Sequence, residues 1–247
     1  MSLPLSRPHS PPQTSFCFHT TRWSHVCRAQ ADSEDGKRAL ADLCDAYYEP
    51  VVSWLRCELR DADAAREASH AFFAYLLGSE TPLAADRQRG RFRSYLLGAV
   101  KHFLSNHRAL GQSIKRGGGL TWSALENDET RAVADATQPS PDAAFDRQWA
   151  LTLLGLTLEG LRQECAAEGR ALEFDKLQPW LTGDADHGDQ GALAVELGMN
   201  LNSLKSQIRR LRSRFRTLLK LQIAATLNEG GSVEEEMAVL LATLRPG

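Results

Sequence analysis

One segment constrains this chain more than any other: QGALAVELGMNLNSLKSQIRRLRSRFRTLL, from Gln190 to Leu219. Its apolar positions recur at helical spacing, break once at Gly198 and then resume, so the pattern predicts two helices joined by a tight turn. Ala194 and Leu197 face inward on the first helix, and Leu201, Leu204, Ile208 and Leu211 form the buried stripe of the second. The rest of that second helix is cationic. Lys205, Arg209, Arg210, Arg212, Arg214, Arg216 and Lys220 follow one another with no acidic residue between them, which suits neutralisation of phosphates along one element. Asn202, Ser203, Lys205, Ser206 and Arg209 stand near its start, where the second helix of a helix-turn-helix meets base edges in the major groove. The plainer alternative is a solvated cationic helix in an ordinary bundle.

Helical spacing continues elsewhere. Leu40, Leu43 and Tyr47, then Val51, Val52 and Leu55, then Ala65, Ala68, Phe72 and Leu76 keep the period, and it returns with Phe145, Trp149, Leu153, Leu156 and Leu161. No run of alternating β-branched residues offers a strand, so the expected fold class is all-α. With 247 residues and 43% hydrophobic content, two small domains are expected rather than one large one. Pro4, Pro8, Pro11 and Pro12 make residues 1–18 a disordered tail, and residues 19–108 form the first domain. Across 109–141, GQSIKRGGG, ENDET and TQPSP break the pattern, which predicts a flexible linker. A second domain follows over 142–228. In the extension 229–247, Gly230 and Gly231 end the long helix, and Ser232 caps a short closing one. Its apolar side, Val233, Met237, Leu240, Leu241 and Leu244, is expected to cover the second domain.

The net charge of −2 averages over unlike segments. A second cationic concentration runs through Arg87, Arg89, Arg91, Arg93, Lys101, Arg108, Lys115 and Arg116, interleaved with Phe92, Tyr95 and Phe103. Cations beside rings suit unpaired nucleic-acid strands, because the cations follow phosphates while the rings stack on bases. On spacing alone Phe92 and Phe103 read better as core residues than as base-stacking ones.

Catalytic patterns are missing. KRGGG lacks the Gly-Lys-Ser/Thr of a phosphate loop, and neither G-x-S-x-G nor H-E-x-x-H occurs, so no catalytic residue and no enzyme activity is expected. His70, His102 and His107 have no metal-ligand spacing, and Cys17, Cys27, Cys44, Cys57 and Cys165 form no C-x-x-C pair, so neither metal nor cofactor is expected and the thiols should be reduced. No apolar stretch reaches the length of a membrane span, which predicts a soluble, cytoplasmic protein without a membrane partner.

From about Thr21 to Leu227 these features together resemble the extracytoplasmic-function (ECF) group of the sigma-70 family, the bacterial RNA polymerase sigma factors. FRSYLLGAVKHFLSNHR resembles the helix that melts and reads the −10 element, and LGMNLNSLKSQIRRLRSRFRTLL resembles the −35 reader, while TTRWSHV, RGRFRSYLL, KRGGG and FDRQWALTLL are similar to a subgroup with a long linker. The resemblance implies transcription initiation at promoter DNA, with core RNA polymerase bound through its β′ clamp helices and β flap, and an anti-sigma factor or a Ser/Thr kinase as a further partner. It places −35 contacts at Asn202, Ser203, Lys205, Ser206, Arg209, Arg210 and Arg212. The −10 contacts fall at Arg91, Arg93, Tyr95, Lys101, His102, Asn106 and Arg108, aided by the loop from Ser79 to Arg91. Polymerase contacts fall at Glu67, His70, Phe72 and Phe73. Several positions depart from the group's pattern: Ala64, Ala65, Arg66 and Glu67 replace an Asp-Ala-Glu-Asp run, His70 and Ala71 replace Gln-Glu, Tyr95 replaces Trp, and His102 replaces Asn. The thinner acidic run predicts conditional docking, with phosphorylation of Ser69 restoring the missing charge. A stand-alone helix-turn-helix regulator is the second expectation, and a structural adaptor the third.

Overall fold

The structure, a computed structural model, describes residues 34–78, 91–115, 139–181, 189–227 and 231–245. The regular elements of the described residues are all helices, and no strand occurs among them. The helices are α1 (Glu34–Leu59), α2 (Ala62–Gly78), α3 (Phe92–Lys115), α4 (Pro141–Ala167), α5 (Ala171–Leu177), α6 (Gln190–Glu196), α7 (Leu201–Ala225) and α8 (Val233–Thr243), with a short 3-10 turn at Gln178–Leu181. The expected tail 1–18 lies outside the described residues, as does 116–138 of the expected linker.

Local chemistry sets where the helices begin. Arg60 takes a left-handed φ of 55° and turns the chain out of α1. Asp61 then caps α2, its Oδ1 accepting the amides of Asp63 at 2.8 Å and Ala64 at 3.0 Å. Ser140 accepts the Ala143 amide at 3.2 Å and Pro141 opens α4, so the end of the expected linker is a helix start. Ser232 accepts the Glu235 amide at 3.2 Å and caps α8 as the sequence suggests. At the other boundary the sequence pattern is misleading. Helix α3 runs through Ala109 to Lys115, because loss of apolar periodicity removes a packing face without removing helix propensity.

Packing does not divide where the linker was expected. One apolar cluster takes Tyr47, Trp54 and Leu55 from α1, Phe72 and Leu76 from α2, Leu96 and Val100 from α3, Phe145 and Trp149 from α4, Ile223 from α7, and Leu240 from α8. A second cluster joins Leu161 and Cys165 of α4 to Phe174, Trp180, Ala194, Leu204 and Ile208. Helix α4 has 27 residues, about 40 Å at 1.5 Å per residue, so its first half packs on α1 while its second half supports α5 to α7. Helix α8 lies mainly on α4 and α7. Leu240 is fully buried, with Val233, Met237 and Leu244 packed beside it, whereas Leu241, expected on the same side, is 55% exposed. Burial pushes the Cys165 and Cys57 thiols above their ordinary range, and both are free thiols.

Candidate nucleic-acid interface

The segment from Gln190 to Ala225 folds as two helices around a turn. Asp189 starts α6 by accepting the Gly191 amide at 2.7 Å. Gly198 adopts φ +65°, a conformation that a side chain disfavours, and the reversal lets the Met199 amide donate to the Ala194 carbonyl at 2.9 Å. Asn200 then caps α7, accepting the Ser203 amide at 2.8 Å. Leu204, Ile208 and Leu211 are buried as the periodicity requires. Leu201 is not: it sits in the first turn, 40% exposed, beyond the reach of α6.

Opposite that stripe the cationic face is open at its N-terminal end. Asn202, Ser203, Lys205, Arg209, Arg210 and Arg216 are exposed and Ser206 is half-buried. Among the described residues no ion pair involves Lys205, Arg209, Arg210 or Arg216. The C-terminal end differs. Arg212 donates from Nε and Nη2 to the Trp180 carbonyl at 2.9 and 2.7 Å, tying α7 to the 3-10 turn, so its expected role as a DNA contact is replaced by an internal bond. Arg214 donates to Glu164 at 2.8 Å and Lys220 pairs with Glu234 at 3.3 Å.

On α3 the expected −10 residues do not form an open surface. Arg91 lies between Glu235, at 3.0 Å, and Glu236, at 2.6 Å. Arg93 is buried, paired with Asp146 and with Glu236 at 3.4 Å, and its guanidinium carbon stands 4.7 Å from the centroid of the Trp149 ring. Burial alone would lower its pKa, but the Asp146 and Glu236 carboxylates outweigh burial and raise it, so Arg93 stays charged. Lys101 pairs with Asp142 at 2.7 Å and Arg108 with Glu58 at 3.5 Å. Tyr95 is half-buried against Phe92. His102 and Asn106 are exposed and bonded to each other at 3.2 Å, leaving their edges at the surface. Phe92 is core, whereas Phe103 is half-buried with Tyr75 and His107 beside it at centroid distances of 5.7 and 5.6 Å. The loop residues 79–90 lie outside the described residues.

The expected polymerase face is also altered by burial. Phe72 and Phe73 are 0% and 7% exposed, enclosed by the core and by Phe103 and Tyr48, so neither ring is available to a partner. Glu67 is exposed, and exposed His70 stacks on Tyr48 and meets its hydroxyl at 2.9 Å. Ser69 is fully buried and its Oγ finds no hydrogen-bond partner, so a kinase cannot reach it in this conformation and the phosphorylation expectation is withdrawn.

Sequence reasoning missed Asp142, Asp146, Glu235 and Glu236, the carboxylates that meet the α3 cations. Their signal is the acidic first turn of α8 and the PDAAFD start of α4, but sequence alone does not say which basic segment they face. Among the described residues no cluster suits a metal ion, and no helix is long and apolar enough to cross a membrane. Comparison with protein-family models, with curated proteins and with solved structures finds no match for this chain.

Proposed function

We propose that the chain is a promoter-specificity subunit, a sigma factor that brings core RNA polymerase to promoter DNA and itself performs no catalysis. The observation that carries this reading is the α6–turn–α7 unit, whose exposed Asn202, Ser203, Lys205, Arg209 and Arg210 combine base-reading side chains with phosphate-neutralising ones at a helix start. In this reading residues 142–228 read duplex −35 DNA and residues 19–108 serve the unpaired −10 strand and the polymerase, with 109–141 as the connection between two functional units. His102, Asn106, Tyr95 and Phe103 would meet unpaired bases, while Glu67 and His70, with exposed Tyr75, would meet the β′ clamp helices. The protein works in the cytoplasm, needs no cofactor, and is open to control by an anti-sigma factor.

A second reading, a stand-alone helix-turn-helix regulator, is favoured by one contrast: Lys205, Arg209 and Arg210 at the start of α7 are open while Arg91, Arg93 and Lys101 are paired within the chain. Core polymerase purified with and without the protein decides between them. The sigma reading expects the protein to co-purify with core enzyme and to direct run-off transcription from a specific start. Tight binding to a symmetric duplex with no polymerase association would establish the regulator instead.

A further inference from the structure

Three helix ends meet at one point of the molecule. The Phe92 amide at the start of α3 donates to the Thr226 carbonyl just past the end of α7 at 3.3 Å, and α8 packs on α7 while its first turn reaches α3 through the Glu236–Arg93 pair. There Glu236, 1% exposed, faces Arg91 and Arg93, while Glu235 pairs with Arg91 at the rim. Along the same helix Lys101 is held by Asp142, which also accepts the Trp54 indole N–H at 3.1 Å.

We propose that α8, together with Asp142 and Asp146 of α4, is an internal guard: its carboxylates occupy the α3 cations in place of nucleic-acid phosphates, so a single strand engages α3 only when α8 leaves. The inference rests on the sigma reading for its biological purpose, but the competition it describes is a property of the contacts themselves.

The contacts have unequal strengths, and that inequality is what lets the guard release. Arg91–Glu235 and Lys101–Asp142 are rim pairs with half or more of the acidic side chain in solvent, a class that contributes little to stability and exchanges readily with other anions. Glu236 is different. A carboxylate so buried persists only while paired, so α8 docks as a unit with Arg91 and Arg93 and departs as a unit when a phosphate chain takes them. Leu240 also seats α8 on the apolar core, and Glu236 adds an anchor specific to Arg91 and Arg93. The guard is selective as well. The α7 cations at 205, 209 and 210 stay exposed and, among the described residues, unpaired while Arg91, Arg93 and Lys101 are paired, so duplex binding precedes strand capture.

The test compares full-length protein with two variants that open the guard by unrelated means: Asp142→Asn with Glu235→Gln, which removes the rim charges of α4 and α8, and Leu240→Asp, which loosens α8 by placing a charge at its buried anchor. The probe is a fluorescein-labelled oligo(dT) single strand, followed by anisotropy across a salt series, with helix content checked by circular dichroism. Both variants should bind it on the order of tenfold more tightly, with a steeper salt dependence, as freed cations meet phosphates. Affinity for a duplex of random sequence should rise less than affinity for oligo(dT), because Lys205, Arg209 and Arg210 are already open in the parent. Unchanged oligo(dT) affinity in a folded variant pair, or no binding by any form, overturns the guard. Neither readout requires polymerase, so a guard that releases in a protein without transcription activity would overturn only the sigma reading, and transcription with unaltered strand affinity would overturn only the guard.

Discussion

Removing Lys205 and Arg209 together should weaken duplex binding and flatten its salt dependence by about one per lost phosphate contact, with roughly 1 to 3 kcal/mol more wherever a bidentate base contact is lost. Thermal stability should not fall, since both side chains are exposed. Arg212→Ala should do the reverse, because its guanidinium holds the Trp180 carbonyl, and a drop in Tm with intact DNA affinity is the expected outcome. Equal loss of affinity in both variants would contradict this division of roles. Ser69 belongs to the same scale. With its hydroxyl buried and unpartnered, Ser69→Ala should be neutral or stabilising, whereas Ser69→Glu should lower Tm sharply by burying a charge. Urea unfolding of the two variants checks this, and an unfolding midpoint for Ser69→Glu equal to that of the parent would show that the site opens.

Helices α6 and α7 were legible because a short element with one buried stripe, one glycine and one unbroken cationic face leaves few alternatives. The glycine carries the turn alone: Gly198→Ala meets no atom within 4 Å, so its expected cost of about 1 to 2 kcal/mol is backbone strain, measurable as a fall in Tm. An unchanged Tm would mean that the turn relaxes. Helix α3 was legible only as a helix. Its basic residues looked open in sequence because periodicity reports what a helix buries against something, not which distant charges it meets. Phe72 and Phe73 were misread for a related reason, since a family-like motif identifies positions, while burial decides whether a ring at such a position faces the core or a partner.

At the scale of the molecule, the all-helical class followed from periodicity, but the break at 109–141 did not carry into packing, because α4 is long enough to serve both clusters. The joint between the halves responds to acid. Burial tends to raise the Asp142 carboxyl, but the Lys101 ammonium and the Trp54 indole N–H outweigh it and lower it. A lowered carboxyl contributes stability that is complete above its ordinary value of 3.8 and is lost as pH falls through the lower folded value. The Tm difference between parent and Asp142→Asn should therefore be constant above pH 3.8 and vanish in stronger acid; a difference that persists there would exclude this origin.

On the proposed function, the open start of α7 and the residues of α3 act on one promoter to direct core polymerase. Mapping the 5′ ends of transcripts made from genomic DNA by core polymerase, with and without the protein, tests it most directly. A set of starts should appear only with the protein and share two upstream elements at a fixed separation, the distal one losing its effect with Lys205→Ala and Arg209→Ala. Transcript ends identical in the two reactions would contradict it.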